Sequence, residues 1–198
     1  MSTTLLEQIV DGPSRRSENL KFLKKLEKGA NMSIVVCDTR EQKDEHIISW
    51  FNEHNIHWIR SKLYVGDYTY LDNMTTCIDR KHNMQEVYSN VIQQHNRFRS
   101  ELMRAQESGI RLVVLVEDEK IKSIDEVKSW NNPRIWQYRM MKKQGKEVKW
   151  KEPASSETIS KIMNRMSYAY GVEWQFCKPG ETAETIIRIL GGNNSGTD

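Results

Sequence analysis

Residues 110–118, IRLVVLVED, form the most apolar run in the chain. From Leu112 to Val116 there is no polar position, so the run cannot present one dry face and one wet face. It reads as a strand covered on both sides, and such a strand needs helices on both faces of its sheet. The chain supplies them. DEHIISWFNEHN (44–55) places Ile47, Ile48 and Phe51 at helical spacing. A long helix is expected from about Met84 to Ser108, with Val87, Val91, Phe98 and Leu102 on one side and Gly109 as its stop. SSETISKIMNRMSYAYG (155–171) and ETAETIIRIL (181–190) read as two more helices, with the strand VEWQFC (172–177) between them. SIVVCD (33–38), IHWIRSKLYVGDYTYL (56–71) and TTCIDRK (75–81) are strand-like, the last two forming a hairpin about Asp72 and Asn73. Strands alternating with helices around a hairpin specify an α/β fold with a central mixed sheet flanked by helices.

The expected organisation is one main domain over 33–190, preceded by an extension over 1–32. That extension contains one helix, which starts at Ser17, carries Leu20, Leu23 and Leu26, and stops at Gly29. Residues 119–154 form a polar, basic insertion without a clear period, and 191–198 are a disordered tail by composition. The net charge of +3 permits nucleic acid as a partner without demanding it. Cys37, Cys77 and Cys177 lie far apart with no C-x-x-C spacing, which suits a reducing, cytoplasmic setting. No basic start with an apolar core marks a signal peptide. No apolar run approaches the ~20 residues of a membrane span, so no membrane partner is expected.

The hairpin carries charges that a strand pair rarely tolerates. Asp67 ends its first run, and Asp79, Arg80 and Lys81 lie inside its second. Alternation puts Asp79 and Lys81 on one face, ~6–7 Å apart, with Arg80 on the other. Two carboxylates converging on one spot repel unless a cation lies between them, and oxygen ligands favour Mg²⁺ or Mn²⁺ over zinc. The neighbouring lysine then has a use, in orienting a water or neutralising charge on a phosphate.

VVCDTREQ, VGDY and CIDRK occur in that order, followed by NRFRSEL and LVVLVED. This series resembles the nuclease domain of the XPF-type (xeroderma pigmentosum group F) structure-specific endonucleases, in its small bacterial and phage form. These belong to the restriction-endonuclease-like PD-(D/E)XK nucleases, with signature D-x-R-E, then G-D-Y, then E-R-K. The resemblance implies a metal-dependent DNA endonuclease acting on branched or flapped DNA in bacterial or phage recombination, replication or repair. It implies catalytic roles for Asp38, Arg40, Glu41, Asp67, Asp79, Arg80 and Lys81. Asp38, Asp67 and Asp79 would hold Mg²⁺ (or Mn²⁺), and Arg97 would be the helix arginine that supports the site. The alternative is a non-catalytic DNA-binding subunit on the same fold.

Three departures stand out. Asp79 replaces the usual glutamate and is one methylene shorter. The acid expected four residues beyond Lys81 is Gln85, with Glu86 beside it. The tandem helix-hairpin-helix domain of many relatives is absent from this sequence. Separately, the segment 139–151 is rich in cations with aromatics nearby, Trp136, Tyr138 and Trp150. Lys142, Lys143, Lys146, Lys149 and Trp150 are therefore expected to contact DNA, cations tracking phosphates and rings stacking on unpaired bases. The apolar residues of 156–170 and 181–190 exceed what one sheet face needs, so a homodimer through that end is expected.

Overall fold

The computed structural model describes residues 33–191. The expected helix at 17–29 and the tail from 192 lie outside the described residues. Six strands form one mixed sheet: β1 (Val35–Asp38), β2 (Trp58–Ser61), β3 (Tyr68–Tyr70), β4 (Thr76–Lys81), β5 (Arg111–Glu117) and β6 (Glu173–Cys177). Their spatial order is β2-β1-β3-β4-β5-β6. β1 pairs antiparallel with β3, and β3 with β4, while the β1–β2, β4–β5 and β5–β6 pairs are parallel. β5 is internal, and Leu112 to Glu117 are all buried, which explains its unbroken apolar run.

Helices cover both faces. On one side lie α1 (Glu45–Glu53) and α6 (Thr182–Leu190), whose Ile47, Phe51, Ile186 and Ile189 pack on Val35, Ile78, Val113 and Leu115. The other side carries α2 (Met84–Tyr88), α3 (His95–Glu107) and α5 (Ser156–Tyr170), packed on Cys77, Val114 and Val116. α5 begins at Ser155, whose side chain caps the Thr158 N–H, and ends at Gly171 in the left-handed conformation. Cys37, Cys77 and Cys177 are buried free thiols.

Three expectations need correction. The helix expected over 84–108 is broken: a π turn (Ser89–Gln93) separates α2 from α3. The extra residue in that turn re-phases the second half, so that Phe98, Leu102 and Ala105 face the sheet. The insertion 119–154 is partly regular, with a 3₁₀ turn (Glu126–Ser129) and α4 (Pro133–Lys143), capped by the Asn132 side chain. The apolar surplus at the carboxyl end is consumed within the chain. Ile159, Met163 and Met166 belong to one core and Ile186 and Leu190 to the other, and only Ile162 and Ile187 are half-buried.

Met163→Ala should therefore lower unfolding free energy by about 2–5 kcal/mol, the usual cost of truncating a fully buried side chain. Tyr168→Ala, at a position 96% exposed on the same helix, should change it by less than ~0.5 kcal/mol. Urea unfolding of both variants checks this. Equal losses would mean that α5 is buried on its outer side as well.

Candidate active site

Strand parity separates the charges of β4. Asp79 and Lys81 share the face under α2 and α3, and Arg80 points to the face under α1 and α6. There Arg80 Nε donates to Glu117 Oε1 at 2.6 Å and its Nη1 to Glu41 Oε1 at 2.8 Å. Thr182, at the start of α6, donates to the same Glu117 oxygen at 2.8 Å. Burial raises the Glu41 pKa to about 7, and attraction to Arg80 only partly offsets it. One guanidinium faces two buried carboxylates, so the less firmly bonded one keeps its proton close to neutrality.

Asp38, expected as a third metal ligand, is fully committed elsewhere. Its oxygens accept from the Arg40 N–H (2.6 Å), from Arg40 Nε and Nη2 (2.8 and 2.9 Å), and from the Leu63 N–H (2.6 Å). Burial pushes its pKa up, yet these bonds outweigh that and hold it below the usual carboxylate range. Asp38 is not among the residues lining the cleft, whereas Arg40 is. The geometry makes Asp38 the anchor of the turn that presents Arg40, and its spent lone pairs leave it no capacity as a ligand.

Asp67 is placed by backbone geometry. Its N–H donates to the Ile78 carbonyl at 2.7 Å, and its own carbonyl accepts from the Asp38 N–H at 2.7 Å. Gly66, before it, has φ of +71°, and a Cβ there would meet the Ile78 carbonyl oxygen at 2.8 Å. Only glycine fits so close to β4, and this fixes where Asp67 emerges. Asp67 Oδ2 accepts from the Arg80 N–H at 2.8 Å. Burial, then the charge of Asp79, raises the Asp67 pKa well above the ordinary aspartate value.

Lys81 Nζ donates to Asp79 Oδ1 at 2.7 Å and lies 5.9 Å from the centre of the Phe98 ring. Burial alone would lower the Lys81 pKa, but Asp79 and Asp67 together raise it. Lys81 is therefore a fixed ammonium and a poor base. Asp79 Oδ2 is buried and has no hydrogen-bond partner.

These groups open into a cleft of about 340 Å³ lined by Asp67, Asp79 and Lys81, with Arg97, Glu101 and Arg104 from α3. Positions 97, 101 and 104 share one helical stripe, which the π turn has aimed at the site. Sequence reasoning missed Glu101, which accepts from the Gly66 N–H at 3.2 Å and whose pKa burial and Asp79 raise. Its place within NRFRSEL, four residues after Arg97, was the available signal. Glu117 was missed too, hidden as the last residue of the apolar run. Glu86 lines the cleft, whereas Gln85 faces away from it. Lys142, Lys143, Lys146 and Lys149 are exposed on α4 and the chain after it, outside the cleft. Trp150 is 47% exposed, and Tyr138 is buried and unavailable for stacking.

A divalent cation fits this chemistry. An orphaned buried oxygen on Asp79 beside Asp67, whose pKa burial and then the Asp79 charge raise, is a site short of positive charge. Among the described residues no three His, Cys, Asp or Glu side chains form a ready metal cage. Magnesium needs only one or two carboxylates, its remaining positions going to waters and substrate phosphates.

Fold and site together define a restriction-endonuclease-like α/β domain. Residues 37–189 match the model of the ERCC4 domain, and the chain belongs to that family. Among solved structures it is similar to XPF from Aeropyrum pernix, with 18% identity and a TM-score of 0.52, covering 79% of this chain and 63% of that one. The same protein in complex with DNA matches with 17% identity and a TM-score of 0.51, covering 80% of this chain and 63% of that one. The present chain thus spans less than two thirds of the protein it resembles. No curated protein matches it.

Gly66→Ala should disturb Asp67 selectively. The left-handed backbone alone costs on the order of 1–2 kcal/mol in a residue with a Cβ, and the contact with the Ile78 carbonyl adds to it. A fall of several degrees in Tm is expected, since ~1 kcal/mol shifts a domain of this size by about 2–4 °C. Calorimetry showing an unchanged Tm would mean that the turn relaxes freely.

Proposed function

We propose that the chain is a metal-dependent endonuclease that hydrolyses phosphodiester bonds in branched or flapped DNA, in bacterial or phage recombination, replication or repair. The observation that carries this reading is the unpartnered Asp79 oxygen beside Asp67 in a cleft that also holds a buried ammonium. Asp67 and Asp79 would hold Mg²⁺ or Mn²⁺, which when bound polarises the phosphate and favours a nucleophilic water. Lys81, protonated and steadied by Asp79 and Phe98, supplies a preorganised positive charge to the phosphate as its own charge grows. Arg40, Arg97 and Arg104 line the cleft and draw in the flanking phosphates. Arg80 acts from the opposite face: its backbone N–H holds Asp67 Oδ2 while its side chain is pinned by Glu41 and Glu117. The relative solved with DNA supports nucleic acid as the partner.

Asp67→Asn should abolish cleavage and weaken Mn²⁺ binding in calorimetry, while DNA affinity holds or rises because a charge repelling phosphate is gone. Lys81→Ala should slow cleavage by roughly 10²–10³-fold. Asp79→Glu should keep activity with an altered Mg²⁺/Mn²⁺ preference. A wild type that binds neither metal and cuts no flap, fork or junction would leave the DNA-binding subunit as the better reading.

We also infer a homodimer. With the apolar surplus of the carboxyl end spent inside the chain, its support is the resemblance and the outer edge of β6, where Glu173 to Phe176 are only half-buried. Light scattering at tens of micromolar, well above ordinary dimer dissociation constants, should give twice the chain mass. A monomer there refutes it.

A further inference from the structure

Beside the cleft lies a second groove, of about 580 Å³. The two share a wall, the segment 84–94. Glu86, Ser89, Asn90 and Gln94 line the cleft, whereas Gln85, Tyr88 and Gln93 line the groove. The groove's far wall is built by Arg134 and Gln137 of α4 and by Trp150 and Lys151.

The two hollows differ in chemistry. Glu41, Asp67, Asp79, Glu86 and Glu101 line the cleft, whereas no carboxylate lines the groove among the described residues. In place of acids the groove has two cations, three amides and the rings of Tyr88 and Trp150. The Arg134 guanidinium lies 5.5 Å from the centre of the Tyr88 ring. Trp150 is 47% exposed, so an indole is presented to solvent where burial would ordinarily favour it. Between residues 133 and 151 there are seven lysines and arginines against one glutamate.

Cations without acids select an anion, the one exposed ring, Trp150, selects a flat partner, and amides read polar edges. Unpaired nucleotides satisfy all three requirements. A duplex does not, because its base faces are already stacked. The volume lies within the range of small-ligand sites, ~300–1,000 Å³, which suits single nucleotides of a strand. We propose that this groove holds an unpaired DNA strand continuing from the phosphodiester in the cleft, with bases on Trp150 and phosphates on Arg134 and Lys151. The proposal rests on the endonuclease reading and adds how the chain distinguishes a flap or fork arm from plain duplex.

The test is anisotropy of the full chain with labelled oligo(dT) and with a blunt duplex of equal length, in EDTA. Trp150→Ala should weaken oligo(dT) binding by roughly 5- to 150-fold, the range for losing one stacked base, and lower the single-strand to duplex affinity ratio. Trp150→Phe should restore much of that ratio. Arg134→Glu, at an exposed position, should lower it independently, with thermal melts confirming that both variants fold. Alanines at Lys142, Lys143, Lys146 and Lys149 should instead weaken both probes alike and flatten the salt dependence. An unchanged oligo(dT) affinity in the Trp150 and Arg134 variants overturns the proposal. Equal losses on both probes overturn it as well. Cleavage of a flap with Mn²⁺ is scored separately. A groove-dependent ratio without cleavage upholds the groove and removes the nuclease, and cleavage with an unchanged ratio does the reverse.

Discussion

Arg80 is buried between Glu41 and Glu117 and ion-pairs with both. Its guanidinium ties β4 to β5 through Glu117 and to the turn after β1 through Glu41. Through Thr182 on Glu117 it also reaches α6. Removing such a cation would leave Glu117 buried without its charge partner, which costs several kcal/mol. The same residue's backbone N–H holds Asp67. One side chain therefore welds the layers on one face of the sheet while its peptide group positions the chemistry on the other.

That other face is deliberately out of balance. Burial and then the Asp79 charge raise the proton affinity of Asp67, and Lys81 answers with a single charge. Raising the lysine's pKa suits it to electrostatic work and unsuits it to taking a proton. The shortened Asp79 keeps one oxygen on Lys81 and one free, so the loss of a methylene has not cost the site its open lone pair.

The fold was legible wherever side-chain period reports burial. The run at 112–116 announced its internal strand, and Ser155 and Gly171 bracketed α5. Strand alternation likewise separated Arg80 from Asp79 and Lys81. What stayed hidden depends on partners distant in the chain. Arg40 lies only two residues from Asp38, but nothing local marks the fourth bond, from the Leu63 N–H 25 residues away, that leaves Asp38 fully spent. The π turn at 89–93 leaves the helical period of each half intact, so 84–108 reads as one helix until the phase of Phe98 and Glu101 is seen. The apolar residues of 156–170 and 181–190 looked surplus only while one sheet face was counted for both helices. They lie on opposite faces, and each fills its own core.

The π turn also has a functional logic. A straight helix over 84–108 would keep one register throughout, and its apolar stripe would drift off the sheet or its charged stripe off the cleft. Inserting one residue lets Met84, Val87 and Tyr88 pack in the first half and Phe98, Leu102 and Ala105 in the second. It also aims Arg97, Glu101 and Arg104 at Asp67 and Asp79. The same segment thereby forms a thin partition with cleft on one side and aromatic groove on the other. The partition thus divides a groove of amides, rings and two cations from a cleft in which carboxylates alternate with Lys81 and arginines.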